Sequence, residues 1–261
     1  MSDIERAPIK YAQPLRDMPE GWRVPSVGTI TDFQRSLRLG EVAPHHPNLH
    51  KVADAIPEDA VQSRATKELA DRLRYATDGE LAAGRRLVGL AAPQIGVSRR
   101  VFLANYSMDK APENFDPTAL TVMVNPKLTV AEGSRTLSVP VGCYSCGPLN
   151  GLDERPIDIH AEWTDLQGKR QEELFKAFGG IVVGHENDHL DGILFPDRTL
   201  AQGGEIAWVE GEQNASGEYG RTLLAGEPWE STCPPDQWAA MKRPDDGSGP
   251  IFRFEDFAIA Q

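Results

Sequence analysis

The strongest chemical signal in the chain is the run Ile181-Val-Val-Gly-His185-Glu186-Asn187-Asp188-His189-Leu190. On an α-helix, residues i and i+4 lie one above the other, so His185 and His189 can offer two imidazoles to a single metal ion, with Glu186 beside them. A divalent ion lowers the pKa of its water towards neutrality, and an adjacent carboxylate can take that proton and pass it to a leaving amine. The spacing therefore predicts metal-assisted hydrolysis. The competing reading is an exposed helix face with two unrelated histidines. The apolar residues before His185 and the carboxylate of Asp188, free to orient a ligand, weigh against it.

Two histidines leave such an ion short of a protein ligand, and no histidine follows His189. The upstream candidates are His45, His46, His50, His160 and the cysteines. Cys143 has the best setting, Val141-Gly-Cys-Tyr-Ser145, where Gly142 lets the backbone pass close to an ion and a thiolate suits a divalent metal. Two His, one Cys and a water make an open tetrahedral hydrolytic site. Cys143 and Cys146 also form C-x-x-C, which reads alternatively as a redox dithiol or half of a zinc knuckle. The first needs a βαβ setting and the second another ligand pair; neither is present, and Cys146 reads as a small apolar filler. A third segment, Val88-Gly-Leu-Ala-Ala-Pro-Gln94-Ile-Gly96, combines small residues with Gln94, a neutral donor suited to a developing oxyanion.

The surrounding elements must bring these segments together. The run from Pro57 to Arg74 has helical spacing, with Val61, Ala65, Leu69 and Leu73 on one face. Short strands are expected at 86–92, 100–106, 121–125, 127–130, 136–139 and 156–163, with a hairpin turn at Asp165–Gly168 and a second helix from about Gln171 to Leu190. Helices segregated from strands in this way predict an α+β fold rather than a doubly wound sheet. The 261 residues suffice for one large core. A net charge of −12 repels phosphate backbones and excludes general nucleic-acid binding. No apolar run is long enough to span a membrane, and the charged N-terminal residues do not read as a signal peptide, so a cytoplasmic location is expected. Residues 1–36 read as a proline-rich N-terminal arm, 37–200 as the catalytic domain, and 201–261 as an acidic extension packed on it. That extension has eleven acids against four bases and three tryptophans. Its runs Ile206–Val209 and Ile251–Phe254 are expected to pair as short strands.

In order and spacing, Leu87-Val-Gly89-Leu-Ala-Ala-Pro-Gln94, Val141-Gly-Cys143-Tyr-Ser145 and His185-Glu-Asn-Asp-His189 together resemble the three motifs of the peptide deformylase family. Leu49-His-Lys-Val-Ala and the segment through Phe195-Pro-Asp-Arg198 extend the resemblance over roughly residues 37–200. It implies antiparallel sheets around a central helix that carries the two histidines. It also implies removal of formate from the N-formylmethionine end of peptides by one divalent ion, usually Fe²⁺, with Zn²⁺, Ni²⁺ or Co²⁺ as substitutes. Carried over by motif position, Cys143, His185 and His189 are the ligands and Glu186 the acid/base. Gln94 and the backbone N–H of Tyr144 hold the oxyanion, and Gly89, with Val88 beside it, pairs with the substrate backbone.

The chain departs from that pattern at Leu87 for a glycine, Val141 for a glutamate, Cys146-Gly147 for an aliphatic residue and proline, and Gly184 for a glutamine. Loss of the acid at 141 leaves a basic partner, for which Arg155 is the candidate, to be satisfied elsewhere. Two alternatives to formylated peptide ends follow. One is a deformylase of a specialised formylated metabolite or dedicated peptide. The other is a metal-binding but inactive homologue acting as a binding protein.

Overall fold

The computed structural model describes residues 13–14, 46–82, 87–107, 116–146, 149–204, 206–210 and 220–223. The expected arm at 1–36, apart from Gln13 and Pro14, and the pairing segment at 251–254 lie outside these residues. The strands are β1 (Gln13–Pro14), β2 (Gly89–Ala91), β3 (Val101–Ala104), β4 (Thr121–Val130), β5 (Thr136–Gly142), β6 (Leu149–Pro156), β7 (Ile159–Thr164), β8 (Arg170–Phe175), β9 (Ala207–Glu210) and β10 (Gly220–Leu223). Among the described residues three α-helices accompany them: α1 (Arg64–Ala82), α2 (Ala177–Leu190) and α3 (Phe195–Ala201). One five-stranded sheet runs β2-β3-β4-β7-β8 and the other β1-β10-β9-β6-β5. Every pair within them is antiparallel. Helix α2 packs against β2, β3, β4, β7 and β8 of the first sheet and against β6 of the second. This is the α+β arrangement expected from the sequence, with the histidine helix at its centre.

Several elements differ from the sequence reading. The first helix begins at Arg64, not Pro57; residues Glu58–Ala60 form a 3₁₀ turn. The Ser63 hydroxyl accepts a hydrogen bond from the Thr66 N–H at 3.2 Å and caps the helix there. Leu69, Ala70, Leu73 and Ala76 then form its buried stripe. The runs at 121–125 and 127–130 are one strand. A bulge between Val124 and Lys127 absorbs the break. Asn125 takes φ of 51° there, and its side chain bonds both the N–H and C=O of Ile56, at 2.8 and 2.7 Å. Residues Arg170–Phe175 form a strand paired with β7, so the second helix starts at Ala177. The Asp165–Gly168 turn joins β7 to β8 as expected, with Gly168 at φ of 80°. Strand β9 pairs with β6 on one side and with β10 on the other, so within the described residues the 206–209 run meets 149–150 and 220–223.

Helix α2 is apolar around most of its circumference, as befits a helix enclosed by both sheets. Its glycines have different reasons. A Cβ on Gly180 would stand 2.7 Å from the carbonyl carbon of Ile157, in the turn between β6 and β7. Alanine is favoured over glycine by about 1 kcal/mol in an open helix. Here the backbone clash reverses the sign, and Gly180→Ala is expected to destabilise the protein by about 1–3 kcal/mol, read from the shift in a urea unfolding midpoint. An unchanged or higher midpoint would show that the helix moves aside freely.

Candidate metal centre

Three separate segments meet at the middle of α2. The helix supplies His185, Glu186 and His189. The end of β5 and the 3₁₀ turn Tyr144–Cys146 supply Cys143, Tyr144 and Ser145. Strand β2 and the 3₁₀ turn Ala92–Ile95 supply Gly89 and Gln94.

Ligand atoms of Cys143, His185 and His189 all lie within 4.8 Å of one another, and Cys143 Sγ is 3.3 Å from His189 Nε2. The two rings stand nearly perpendicular, with centroids 5.0 Å apart, on one face of the helix. Cys143 and His189 are buried and His185 is half-buried. Of the other candidates, His46 Nδ1 caps a 3₁₀ turn by accepting from Asn48 N–H, His160 is exposed on β7, and neither joins the group. His50 does not join it either, while His45 and Cys233 fall outside the described residues. The C-x-x-C pair is side by side, but the group of convergent ligands includes Cys143 and not Cys146.

The electrostatics fit a cation. Burial works against ionising Cys143, yet a hydrogen bond from the Cys146 thiol, the charge of His189 and bonds from both imidazoles hold Cys143 well below the usual thiol range. Burial and the neighbouring Cys143 thiolate push the Cys146 thiol well up, so it stays protonated and donates. Burial also lowers His189, but the Cys143 charge outweighs it and raises the imidazole. Burial lifts the Glu186 carboxyl to about 8, and its Oε2 has no hydrogen-bond partner in the protein. A thiolate, two imidazoles and an unpartnered buried carboxylate at one point are a donor set for a divalent ion of intermediate softness, so the residues fit the metal implied by the sequence.

Gln94 is fixed by its own loop. Its Oε1 accepts from the Ala91 N–H at 2.7 Å, and its Nε2 points at Cys143 Sγ (3.4 Å) and Ser145 Oγ (3.3 Å). Gly89 has a reason the sequence did not show. A Cβ there would stand 2.6 Å from Cδ and 2.7 Å from Cγ of Glu186, so the glycine makes room for the carboxylate. β2 is also the edge strand of its sheet, with β3 on one side. The half-buried Val88 joins the strand to it by accepting from Asn105 N–H.

Sequence reasoning singled out Asp188 and Arg155 but not the polar cluster they form with Asp153, Arg198 and Thr199 behind the helix. Arg155 does lose the partner expected at 141, where Val141 is buried among Leu49, Leu149, Leu194 and Phe195. It pairs instead with Asp153 and Asp188, both at 2.8 Å. Asp188 is further bound by Arg198, and the two guanidinium groups, against the opposition of burial, hold its carboxyl down to about 2.

Residues 42–203 match the family model of polypeptide deformylases. A peptide deformylase of Leptospira biflexa is 30% identical over 170 residues, covering 63% of this chain and 87% of the relative. One from Rhodopirellula baltica is 35% identical over 159 residues, covering 60% of this chain and 71% of the relative. Among solved structures, the Met-Ala-Ser-bound class I type b peptide deformylase of Acinetobacter baumannii superposes with a TM-score of 0.51 at 29% identity, covering 60% of this chain and 96% of that one. The family match spans well over half of the chain and ends just past the helix that follows the second histidine, so the chain belongs to the polypeptide deformylase family.

Proposed function

We propose that this chain carries out its family's reaction, hydrolytic removal of the formyl group from an N-formylmethionyl peptide end, with one divalent ion held by Cys143, His185 and His189. The convergence of those three side chains around the Glu186 carboxylate carries this reading. When bound, the ion supplies Lewis acidity and an acidified water. In this reading the chain's own residues divide the work as follows. Glu186 accepts a proton at its unpartnered carboxylate oxygen and delivers it to the nitrogen of the leaving amine. Gln94 Nε2 and the backbone N–H of Tyr144 donate to the formyl oxygen as charge develops on it. The β2 edge at Gly89, with Val88, aligns the peptide by backbone hydrogen bonds.

For the metal, Fe²⁺ is the ion we propose, with Zn²⁺, Ni²⁺ and Co²⁺ as substitutes that the Cys/His₂ donor set accepts. A thiolate ligand needs a reducing compartment, which supports a cytoplasmic site of action. Among the described residues no helix is long and apolar enough to cross a membrane. The substrate class draws support from the Met-Ala-Ser tripeptide held by the Acinetobacter protein.

Formate release from formyl-Met-Ala-Ser by the metal-loaded protein, lost on chelation and restored by re-addition of the ion, is the test. Release from small formylated metabolites but not from the peptide would move the assignment to a specialised formamide. Absence of release from either would leave a metal-binding homologue. Within the active reading, Gln94→Leu is expected to lower kcat about 10²–10³-fold, the usual loss for one oxyanion donor. An unchanged kcat would place Gln94 outside the reaction.

A further inference from the structure

Helix α2 poses a problem of orientation. Its buried surface includes Gly179, Gly180, Val182, Val183 and Leu190, spread around the axis. Burial of apolar surface is non-directional, so a helix apolar on most sides gains little by choosing one rotation over another. Yet His185 and His189 must face Cys143 to within a fraction of an ångström. Something directional has to set the rotation.

Directional contacts reach the helix from two sides: Arg100, just before β3, donates to Asn187 Oδ1 and to the Leu190 carbonyl, both at 3.2 Å, and a second, more buried set grips Asp188, one residue from His189. Asp188 accepts from Arg155 Nη1 at 2.8 Å and from Arg198 at 2.6 and 3.0 Å. Arg155 is itself clamped on β6, where its Nη2 donates to Asp153 at 2.8 Å; Asp153, fully buried, accepts also from Thr199 Oγ1 at 2.5 Å. The guanidinium lies against the helix: a Cβ at Gly184, immediately before His185, would stand 3.8 Å from Arg155 Nη1, an ordinary contact.

Stability alone does not account for such a cluster. A buried set of ion pairs roughly breaks even against well-packed apolar residues, because desolvation offsets the attraction. What forked guanidinium–carboxylate bonds add is geometry: Arg198 grips Asp188 with two donors, and Arg155 ties Asp188 to Asp153 of β6 with one donor to each. We infer that Arg155 is a positioning residue: through Asp188 it sets the rotation of α2, and thereby the approach of His185 and His189 to Cys143. The inference rests on the ligand assignment proposed above.

The test uses the full chain, stripped of metal and titrated with Co²⁺, whose visible absorption reports both affinity and ligand geometry. Arg155→Gln alone leaves Asp153 without its cationic partner, so the main variant is the charge-balanced double substitution D153N/R155Q. It is expected to weaken Co²⁺ binding about 10–100-fold, as loss of a residue that orients ligands commonly does. Its Co²⁺ bands should shift, and its kcat should fall while KM for formyl-Met-Ala-Ser stays within about threefold of the parent. Arg155→Lys keeps the charge but cannot span both carboxylates, and should fall between the two. Should the double variant not fold, Asp188→Asn, which leaves Arg155 paired with Asp153, is read by the same criteria. Parental Co²⁺ affinity and spectrum in a folded variant, whatever its melting temperature, would overturn the role of Arg155. A parent protein that binds no Co²⁺ would instead sink the ligand assignment itself.

Discussion

Glu186→Gln is expected to lower turnover about 10²–10⁴-fold while leaving the metal content unchanged, because glutamine keeps the shape but accepts no proton. Metal analysis beside kcat separates this from loss of the ion, and a variant within threefold of the parent would remove Glu186 from the chemistry. The same substitution has a second signature in the metal-free protein. Burial raises the carboxyl from an ordinary 4.5 to about 8, so the folded chain binds that proton more tightly than the unfolded chain does. The contribution is complete below about 4.5 and is lost as the pH climbs through about 8. Metal-free parent protein should therefore lose thermal stability across that interval, and Glu186→Gln should flatten the slope. Melting curves of both proteins at pH 5, 6.5 and 8 decide it; equal slopes would show that this carboxyl does not carry the dependence.

Gly89→Ala is the second large effect. The added Cβ would overlap the Glu186 side chain at Cγ and Cδ, 2.7 and 2.6 Å away, and that side chain is buried with little room to retreat. A displacement of about 1 Å at a reacting group costs on the order of 10² in rate. The expected result is a kcat lowered about 10²-fold with metal content retained. Combining Gly89→Ala with Glu186→Gln should then cost little more than Glu186→Gln alone, since both act through one carboxylate. Additive losses would point to a separate role of Gly89 along the peptide.

The convergence of Cys143, His185 and His189 was legible because the histidine spacing is dictated by one helix turn and because a thiol beside a glycine has few other uses. The strands were less so. Gln171-Glu-Glu-Leu174 are good helix formers, and only the pairing of Glu172 with Glu162 and Leu174 with His160 makes them a strand. Strand β6 went unread because Asn150, Asp153, Glu154 and Arg155 look like a polar loop; Arg155 and Asp153 are buried against Asp188 of α2 and Thr199 of α3, over thirty residues away, and Glu154 against Ser138 of β5. Asn125-Pro126 reads as a strand end, and the bulge that carries β4 through it depends on the backbone of Ile56. In each case a long-range contact overrode a local preference. The reason for Gly89 was hidden in the same way, since the atom it avoids belongs to a helix almost a hundred residues on.

Strand β9 begins beyond the segment matched by the family and closes the outer edge of β6, opposite Leu149 and Asn150. Just before it, Ile206 is 1% exposed, packed with Leu149, Leu194 and Phe195. A chain cut after residue 204 would uncover backbone groups on an extended strand and open a hole in the apolar cluster beneath. Open strand edges are templates for joining other chains. A fragment trimmed to the family's limits is therefore expected to assemble edge to edge, and its sedimentation beside that of the full chain would read this out before activity is assayed.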